Sequence, residues 1–410
     1  MRSNYKKLGN YIREVNVRNS TAEELPLLGI NIDKFFMPSV ANIVGTDLST
    51  YKLVKTSQFA CNRMHVGRDE RLPVALSNSP NNFIVSPAYD VFEIIDQDIL
   101  LPEYLMMWFS RREYDRNAWF YTDADVRGGL HWDAFCEMTL PIPHTDKQKE
   151  IVNEYNTIVT RINLNNQLIQ KLEETAQAIY KQWFVDFEFP DENGNPYKSS
   201  GGEMVFNEEL EKEIPKGWDL KIVGDIVDCN YATLSSQDDY ETIEYLDTSS
   251  ITNNEIEIIQ ILNPTVDEIP SRAKRKVNHN DIIFSTVRPN LKHFGILKNP
   301  KSNMIVSTGF AVLKPTYPNV CGELVYYLIT NEDNMQSLQA RAEMSVSTYP
   351  SINPEDLLNI NFILPSKEIL LLANTIFQSH SELSDRKKKE IKLLRNMKEL
   401  LLSKLATIEN

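Results

Sequence analysis

The sequence has few of the residues and segments that mark secreted, zinc-binding or membrane proteins. Its four cysteines are dispersed singly along 410 residues, which argues against a disulfide framework and against zinc-ligand spacing. This pattern favours reduced thiols in the cytoplasm. No apolar run approaches the ~20 residues needed to cross a bilayer, and residues 1–14 lack the apolar segment of a secretory signal. We therefore expect a cytoplasmic protein with no membrane association.

Motifs for bond chemistry are also missing. No glycine-rich phosphate loop or GxGxxG segment follows a predicted strand, and the six histidines show no metal-ligand spacing. Asn263-Pro264-Thr265 falls short of the Asn/Asp-Pro-Pro-aromatic motif of an amino-methyltransferase. A nuclease core could be assembled only from Pro190-Asp191 and Asp219-Leu220-Lys221, in or beside an acidic segment, and chance explains it better. The chain is predicted to be a recognition protein without catalytic residues, metal site or cofactor of its own.

What the sequence does contain is a long internal repeat. Ile84-Val85-Ser86 returns as Ile305-Val306-Ser307, an offset of 221 residues (305 − 84). Leu140-Pro141-Ile142-Pro143 returns as Phe362-Ile363-Leu364-Pro365, and a long helical pattern follows each copy. Solenoid units repeat every ~20–50 residues, so this period indicates a duplicated domain with its connector. Two related modules suggest a target in two parts.

A long helix is predicted after each module. In the first, apolar or aromatic residues step by four and three from Ile151 to Trp183, interrupted by Asn165, where one polar residue can fix the register of a helix pair. The second helix, about 366–409, has a weaker seam. We expect the two helices to pair antiparallel; the alternative is that each packs on its own module. The predicted seam consists of Ile151, Ile158, Ile162, Asn165, Ile169, Leu172, Ile179 and Trp183 with Ile391, Leu394, Leu401 and Leu405.

The net charge of −14 speaks against DNA binding, but its distribution does not. Residues 191–219 hold eight acids against three lysines, so this stretch carries −5 of the total and is predicted to be an exposed linker. Elsewhere basic residues are grouped, and local groups rather than the total decide phosphate binding. The groups comprise Arg63, Arg68 and Arg71; Arg272, Lys274, Arg275 and Lys276; and residues 386–389. Each group could equally be a solvated face.

Several segments resemble the specificity subunits of type I restriction–modification systems. Residues 178–190 (AIYKQWFVDFEFP) resemble the end of the central helical region in that family. Residues 214–218 (IPKGW) with Gly224-Asp225-Ile226 resemble the start of its second target-recognition domain. Residues 281–290 (DIIFSTVRPN) and 86–92 (SPAYDVF) also resemble segments of these domains. The first module departs from the pattern, because it lacks the Pro-x-Gly-Trp entry.

The resemblance implies an α+β fold with two duplicated mixed α/β target-recognition domains, separated by two long antiparallel coiled-coil helices with pseudo-two-fold symmetry. The implied domains are a first target-recognition domain at 1–143, a central helical spacer at 144–190, the acidic linker at 191–213, a second target-recognition domain at 214–365 and a C-terminal helical spacer at 366–410.

The resemblance also implies the function. The chain is expected to read a split site on double-stranded DNA and to dock two modification (methyltransferase) subunits and restriction (translocase and nuclease) subunits. It would itself be non-catalytic, since S-adenosylmethionine, ATP and magnesium would be bound by the partners, which methylate adenine N6. Two other hypotheses stay open: an orphan scaffold that binds modification subunits without targeting them to DNA, and a self-contained enzyme.

Candidate DNA contacts follow from the chemistry of base edges and phosphates. Arginine reads guanine, and lysine and arginine hold phosphates. The candidates in the first module are Arg63, His65, Arg68, Arg71 and Arg127. Those in the second module are Arg272, Lys274, Arg275, Lys276, Arg288 and Lys292.

Overall fold

The computed structural model describes residues 5–40, 45–64, 66–122, 128–235, 237–345 and 349–408. Spatial contacts divide the chain into two units. The first comprises Met1–Leu164 with Glu390–Asn410, and the second comprises Asn165–Lys389. Within the described part, no helix is both long enough and apolar enough to span a bilayer.

In the first unit most strands precede the helices along the chain. Its strands are β1 (Tyr5–Lys7), β2 (Ile12–Val15), β3 (Leu28–Ile30), β4 (Phe36–Pro38), β5 (Lys52–Val54), β6 (Phe59–Cys61), β7 (Val74–Leu76), β8 (Phe83–Val85), β9 (Asp90–Ile94) and β10 (Thr139–Pro141). Its helices are α1 (Val66–Asp69), α2 (Pro102–Phe109), α3 (Arg112–Phe120), α4 (Trp132–Glu137) and the first part of α5 (Thr145–Tyr180). Helix α2 ends at Phe109, because Arg111 is extended before α3 begins.

The second unit repeats this order. Its strands are β11 (Met204–Asn207), β12 (Lys212–Pro215), β13 (Asp219–Ile222), β14 (Val227–Cys229), β15 (Ile243–Leu246), β16 (Ile251–Thr252), β17 (Glu255–Ile256), β18 (Gln260–Leu262), β19 (Ala273–Lys276), β20 (Ile282–Ser285), β21 (Phe294–Ile296), β22 (Met304–Ser307), β23 (Phe310–Pro315) and β24 (Asn361–Leu364). Its helices are α6 (Gly322–Thr330), α7 (Glu332–Glu343), α8 (Pro354–Leu358) and most of α9 (Lys367–Lys404).

Sheet topology confirms the predicted duplication. The first unit has a four-stranded sheet in the order β2-β9-β6-β7, and the second has one in the order β14-β23-β20-β21. In both, the third strand in that order pairs antiparallel with the second: Phe59 faces Phe92 in one copy, and Ile282 faces Leu313 in the other. A second pairing is repeated as well, since β5 pairs with β8 and β19 pairs with β22. Each module therefore places its strands, and the loops between them, in the same way.

The two long helices pair antiparallel in each unit, as the heptad pattern predicts. In the first unit Arg161 of α5 binds Glu390 of α9 at 2.6 Å, while Ile151 shares a core with Leu402 near the other end of α9. In the second unit the ring of Phe184, just beyond α5, lies 6.3 Å from that of Phe377. The positions predicted as the seam are all buried or half-buried. Asn165 is 3% exposed, and its amide nitrogen has no hydrogen-bond partner in the described structure.

An aromatic cluster ends α5 and begins the second module. After Tyr180 the backbone makes a π-helical turn over Lys181–Val185, and Phe187 then takes a left-handed conformation with φ +63°. The ring of Trp218 lies 4.7 Å from that of Phe189 and 5.8 Å from that of Phe187. The residues that carry the family resemblance therefore form a core contact between the end of the helix and the first strands of the module.

Part of the acidic stretch forms a β-hairpin in the place of the predicted exposed linker. Strands β11 and β12 form an antiparallel hairpin in which Met204 faces Pro215. Ile214 is buried in the core of the second unit, and Met204 packs against that core. The acidic residues of this hairpin are exposed, as expected of the predicted linker, but the stretch is not open throughout, because β11 and β12 pair and Met204 packs on the core.

The aromatic cluster gives a test of stability. Trp218→Ala removes a buried ring and should lower the free energy of unfolding by about 3–5 kcal/mol. The matched control is Phe206→Ala, an exposed aromatic residue of the same unit, which should cost about 0.5 kcal/mol or less. Urea unfolding followed by far-UV circular dichroism measures both. Equal losses in the two variants would contradict the assigned role of Trp218.

Candidate nucleic-acid interface

A hairpin loop occupies the same place in each repeated sheet. In the first module it joins β6 to β7 and is closed by the Asn62 N–H donating to the carbonyl of Pro73 at 2.9 Å. In the second it joins β20 to β21 and is closed by the Ser285 N–H donating to the carbonyl of His293 at 2.9 Å. Basic residues predicted to contact DNA lie in both loops, so the duplication places them equivalently.

In the first module the loop is held by the segment that follows α3. The Leu130 N–H donates to the carbonyl of Arg63 at 2.9 Å, and the Gly67 N–H donates to the carbonyl of Gly128 at 2.7 Å. The two glycines touch: a Cβ placed on Gly67 would lie 2.6 Å from the Cα of Gly128. Any side chain at either position would push the two segments apart.

In the second module the segment that follows α7 holds the loop in the same way. The Ile352 N–H donates to the carbonyl of Thr286 at 2.8 Å, and the Arg288 N–H donates to the carbonyl of Pro350 at 2.9 Å. Backbone hydrogen bonds of this kind do not depend on side-chain identity, so they survive where the two modules differ in sequence. The loop is thus fixed at its base while its tip can vary.

Arg63 is committed to the interior of the first module. Its Nε donates to Asp90 at 2.7 Å, its guanidinium donates to the carbonyl of Leu130, and it lies over the ring of Trp132 at 5.5 Å. The side chain is 18% exposed. Arg63 therefore connects the segment around Leu130 to strand β9 of the sheet.

The other basic residues of the first loop are exposed but paired with acids. Arg68 binds Asp69 at 2.7 Å, and Arg71 binds Asp33 at 3.3 Å. Surface pairs of this kind are weak and can exchange for phosphate at small cost. The predicted contacts His65 and Arg127 lie outside the described residues.

The second loop ends in a tight exposed turn. Arg288 and Lys292 both take left-handed backbone conformations, with φ +50° and φ +55°, on either side of a 3-10 turn at Pro289–Leu291. The Leu291 N–H donates to the carbonyl of Arg288, and the Lys292 N–H donates to the carbonyl of Pro289, each at 2.9 Å. Left-handed backbone is costly for residues other than glycine and clusters at functional sites.

The side chains of this turn point to solvent with few partners. The guanidinium of Arg288 lies over the ring of Tyr349 at 4.8 Å. In the described part of the chain, neither Arg288 nor Lys292 forms an ion pair. A basic side chain that binds a phosphate or a guanine edge is expected to have no counter-ion within the protein.

The remaining basic group of the second module lies on or beside β19. Arg272 and Lys274 are exposed, whereas Arg275 is half-buried and Lys276 is paired with Asp238. Arg272 is linked to the turn through two adjacent residues: its carbonyl accepts from the Thr308 N–H, and the next residue, Gly309, accepts from Thr286. Arg272 and Arg288 therefore belong to neighbouring segments, while Arg275 points inward.

A half-buried carboxylate joins the helices of the second unit to α6. The hydroxyls of Tyr326 and Tyr327 donate to Glu173 of α5 at 3.2 and 3.4 Å. Burial raises the pKa of Glu173, although these hydrogen bonds oppose the rise. Burial likewise lowers the pKa of Lys388 of α9, whose ammonium donates to the carbonyl of Asn254 at 2.6 Å. The sequence analysis predicted this role for neither residue: Lys388 was included only in the basic group at 386–389, and Glu173 lies in a run of charged residues.

Histidine, cysteine, aspartate and glutamate side chains do not assemble a metal site in the described ranges, where no three of them come together.

Known proteins place this architecture. Residues 215–393 match the family described as the type I restriction modification DNA specificity domain. The chain is 25% identical over 327 residues to the specificity subunit of the type I restriction enzyme MjaIX of Methanocaldococcus jannaschii, covering 76% of this chain and 70% of that protein. The match at 215–393 and the longer alignment make the chain similar to the specificity subunits of type I restriction enzymes.

Two further comparisons agree. The specificity subunit of the type I restriction enzyme HindI of Haemophilus influenzae is 29% identical over 160 residues, which are 38% of this chain and 34% of that protein. The crystal structure of the S subunit of a type I restriction-modification system from M. genitalium superposes with a TM-score of 0.57 over 99% of this chain and 96% of that one, at 14% identity. This last likeness shows a shared fold, and it confirms the predicted fold class.

The Glu173 site makes the stability of this protein depend on pH. Because the folded-state pKa of Glu173 is raised, the folded state keeps a proton that the unfolded chain has released at pH above about 4.3. The free energy of unfolding therefore falls as pH rises from about 4.3, the pKa of glutamate in the unfolded chain, to the raised pKa of Glu173 in the folded state. Glu173→Gln should remove this fall, so its stability relative to the unsubstituted protein should increase from pH about 4 to about 7.

Chemical unfolding at the two pH values measures the effect. Glu174→Gln is the control, because the neighbouring Glu174 is exposed and a hydrogen bond from Lys171 lowers its pKa. Its stability relative to the unsubstituted protein should change with pH in the opposite direction. The assignment fails if Glu173→Gln and Glu174→Gln respond alike.

Proposed function

We propose that this chain is a specificity subunit that reads a split site on double-stranded DNA, with one half recognised by each module. The observation that carries the proposal is the repeated hairpin loop, which both modules hold by equivalent backbone hydrogen bonds. Two copies of one reading element suit two half-sites. The major groove is the expected surface, because each base pair presents a distinct pattern of donors and acceptors there.

The chain would act in the cytoplasm as the addressing part of a larger assembly. Two modification subunits would bring S-adenosylmethionine and methylate adenine, and restriction subunits would add ATP- and magnesium-dependent cleavage. The chain itself would supply no bond chemistry. The motifs missing from the sequence support this division of labour.

The helix pair offers a surface for docking. On the part of α9 that belongs to the first unit, Leu393, Met397 and Leu400 are 64%, 52% and 61% exposed. Their spacing of four and three residues places them on one face of the helix. Exposed apolar stripes of this kind mark interaction sites. We define these three residues as the α9 stripe and propose that it packs against a modification subunit.

Substitutions in the second reading loop test DNA recognition. Arg288→Ala should cost about 1–3 kcal/mol of binding free energy and relax one position of one half-site. Lys292→Ala should weaken binding to all sequences and reduce the salt slope by about one. Lys216→Ala is the control, because this exposed lysine is paired with Glu203 at 2.9 Å in the β11–β12 region. Titrations of labelled duplexes at several salt concentrations measure all three; no change in either loop variant would remove the turn from the interface.

Substitutions in the α9 stripe test docking separately. The double variant Leu393→Gln with Leu400→Gln should bind its modification subunits roughly 10-fold or more weakly, since two exposed apolar contacts are lost. Arg395→Gln, an exposed position on another face of α9, should bind normally. Analytical ultracentrifugation of the mixed subunits gives the affinities. Undiminished assembly of the double variant would show that the partner docks elsewhere.

A further inference from the structure

The turn at 288–292 contains an asparagine, Asn290, between the basic residues Arg288 and Lys292. Asn290 is exposed, and its carboxamide has no hydrogen-bond partner among the residues that the structure describes. Its neighbours in the chain anchor it. Pro289 is buried, and Arg288 and Lys292 hold the left-handed conformations that close the turn. The side chain at 290 is thus fixed in position at its backbone and available at its amide.

Helix α7 supplies a direct hold on this residue. The Asn290 N–H donates to Oε1 of Gln339 at 3.1 Å. The amide nitrogen of Gln339 in turn donates to Glu343, one turn further along α7, at 2.8 Å. The carboxylate of Glu343 therefore sets which end of the Gln339 amide faces the turn. A backbone donor at an exposed tip would otherwise bond to water, so this chain of contacts restricts the tip.

We propose that Asn290 reads an adenine edge in the major groove and that Gln339 is the residue that positions it. Asparagine is matched to adenine, because its oxygen accepts from the N6 amino group while its nitrogen donates to N7. None of the described residues occupies either group of the Asn290 carboxamide, as this pairing requires. The inference rests on the proposed function and adds to it one recognised base and one positioning residue.

Geometry explains why a positioning residue is needed. A bidentate contact demands that the amide lie in the plane of the base, and small displacements break one of its two hydrogen bonds. The turn contains two strained residues and no glycine, so it is restrained against alternatives only by its contacts. Gln339 ties its centre to α7, while the backbone bond from Arg288 to Pro350 ties its first residue. Arg288 over Tyr349 and the solvated Lys292 then fit a guanine edge and a phosphate beside the adenine.

The experiment uses the full-length chain and a pool of duplexes with a randomised central segment, from which bound DNA is selected and sequenced. The variants are Asn290→Ala, Gln339→Leu, which has no acceptor, and Gln339→Glu, which keeps one. Gln336→Leu is the matched control, because Gln336 lies on the exposed side of α7 and makes a comparable bond to Glu332 at 2.9 Å. Circular dichroism checks the folding of each variant.

Asn290→Ala should lose discrimination of roughly 5- to 150-fold at a single A·T pair while keeping the rest of the motif. Gln339→Leu should lose about 2- to 10-fold at the same pair. Gln339→Glu should restore most of that discrimination, and Gln336→Leu should behave as the unsubstituted chain. The salt slope should stay constant throughout, since no phosphate contact is removed.

Three results would count against the inference, and they are distinguishable. A sequence-selective unsubstituted chain whose motif survives unchanged in Asn290→Ala and Gln339→Leu would refute the roles of Asn290 and Gln339 and leave the proposed function standing. An unsubstituted chain that selects no motif from the pool would contradict the proposed function itself. A uniform loss of affinity at all positions in Gln339→Leu would show that Gln339 only supports the fold.

Discussion

In each module, backbone hydrogen bonds between the hairpin loop and the segment that follows α3 or α7 hold the candidate interface together. In the second module they join Thr286 and Arg288 to Ile352 and Pro350, and the first module repeats the pattern at Arg63 and Gly67. Because the bonds are made by the main chain, side chains at the loop tips can differ without loss of the scaffold. A protein that must recognise varied DNA sequences on a constant fold needs this separation. The close contact of Gly67 with Gly128 shows how tightly the loop is held.

The two loops use their charges differently. Arg63 forms a salt bridge with Asp90 inside the first module, whereas Arg288 and Lys292 extend from the turn without acidic partners in the described structure. An overall charge of −14 is compatible with DNA binding under these conditions, because phosphate responds to the charges within about 10 Å of it at moderate salt. The acidic excess is concentrated elsewhere, and the helix pair buries its own charged residues Glu173 and Lys388 beside the second module.

Periodic features of the fold were readable from sequence, and irregular ones were not. The repeat predicted a duplicated domain, and the heptad steps around Asn165 predicted the helix pair, since both signals are spread over many positions of the chain. The bond from Asn290 to Gln339 joins residues 49 positions apart, and the left-handed backbone at Arg288 leaves no mark in residue type. The same limit applies to Arg63, whose partner Asp90 is identified only once the strands are paired. The hairpin formed by β11 and β12 was not predicted, because the acidic stretch was interpreted from its charge alone.

The central claim is that two modules address two separate stretches of one DNA site. Mapping of methylated bases in the genome of cells that produce this chain together with its modification subunits tests it directly. If each module addresses one half-site, adenine methylation should occur at a single motif made of two short half-sites, separated by a gap of fixed length in which no base is specified. Methylation at one continuous motif, or at half-sites whose separation varies freely, would contradict it.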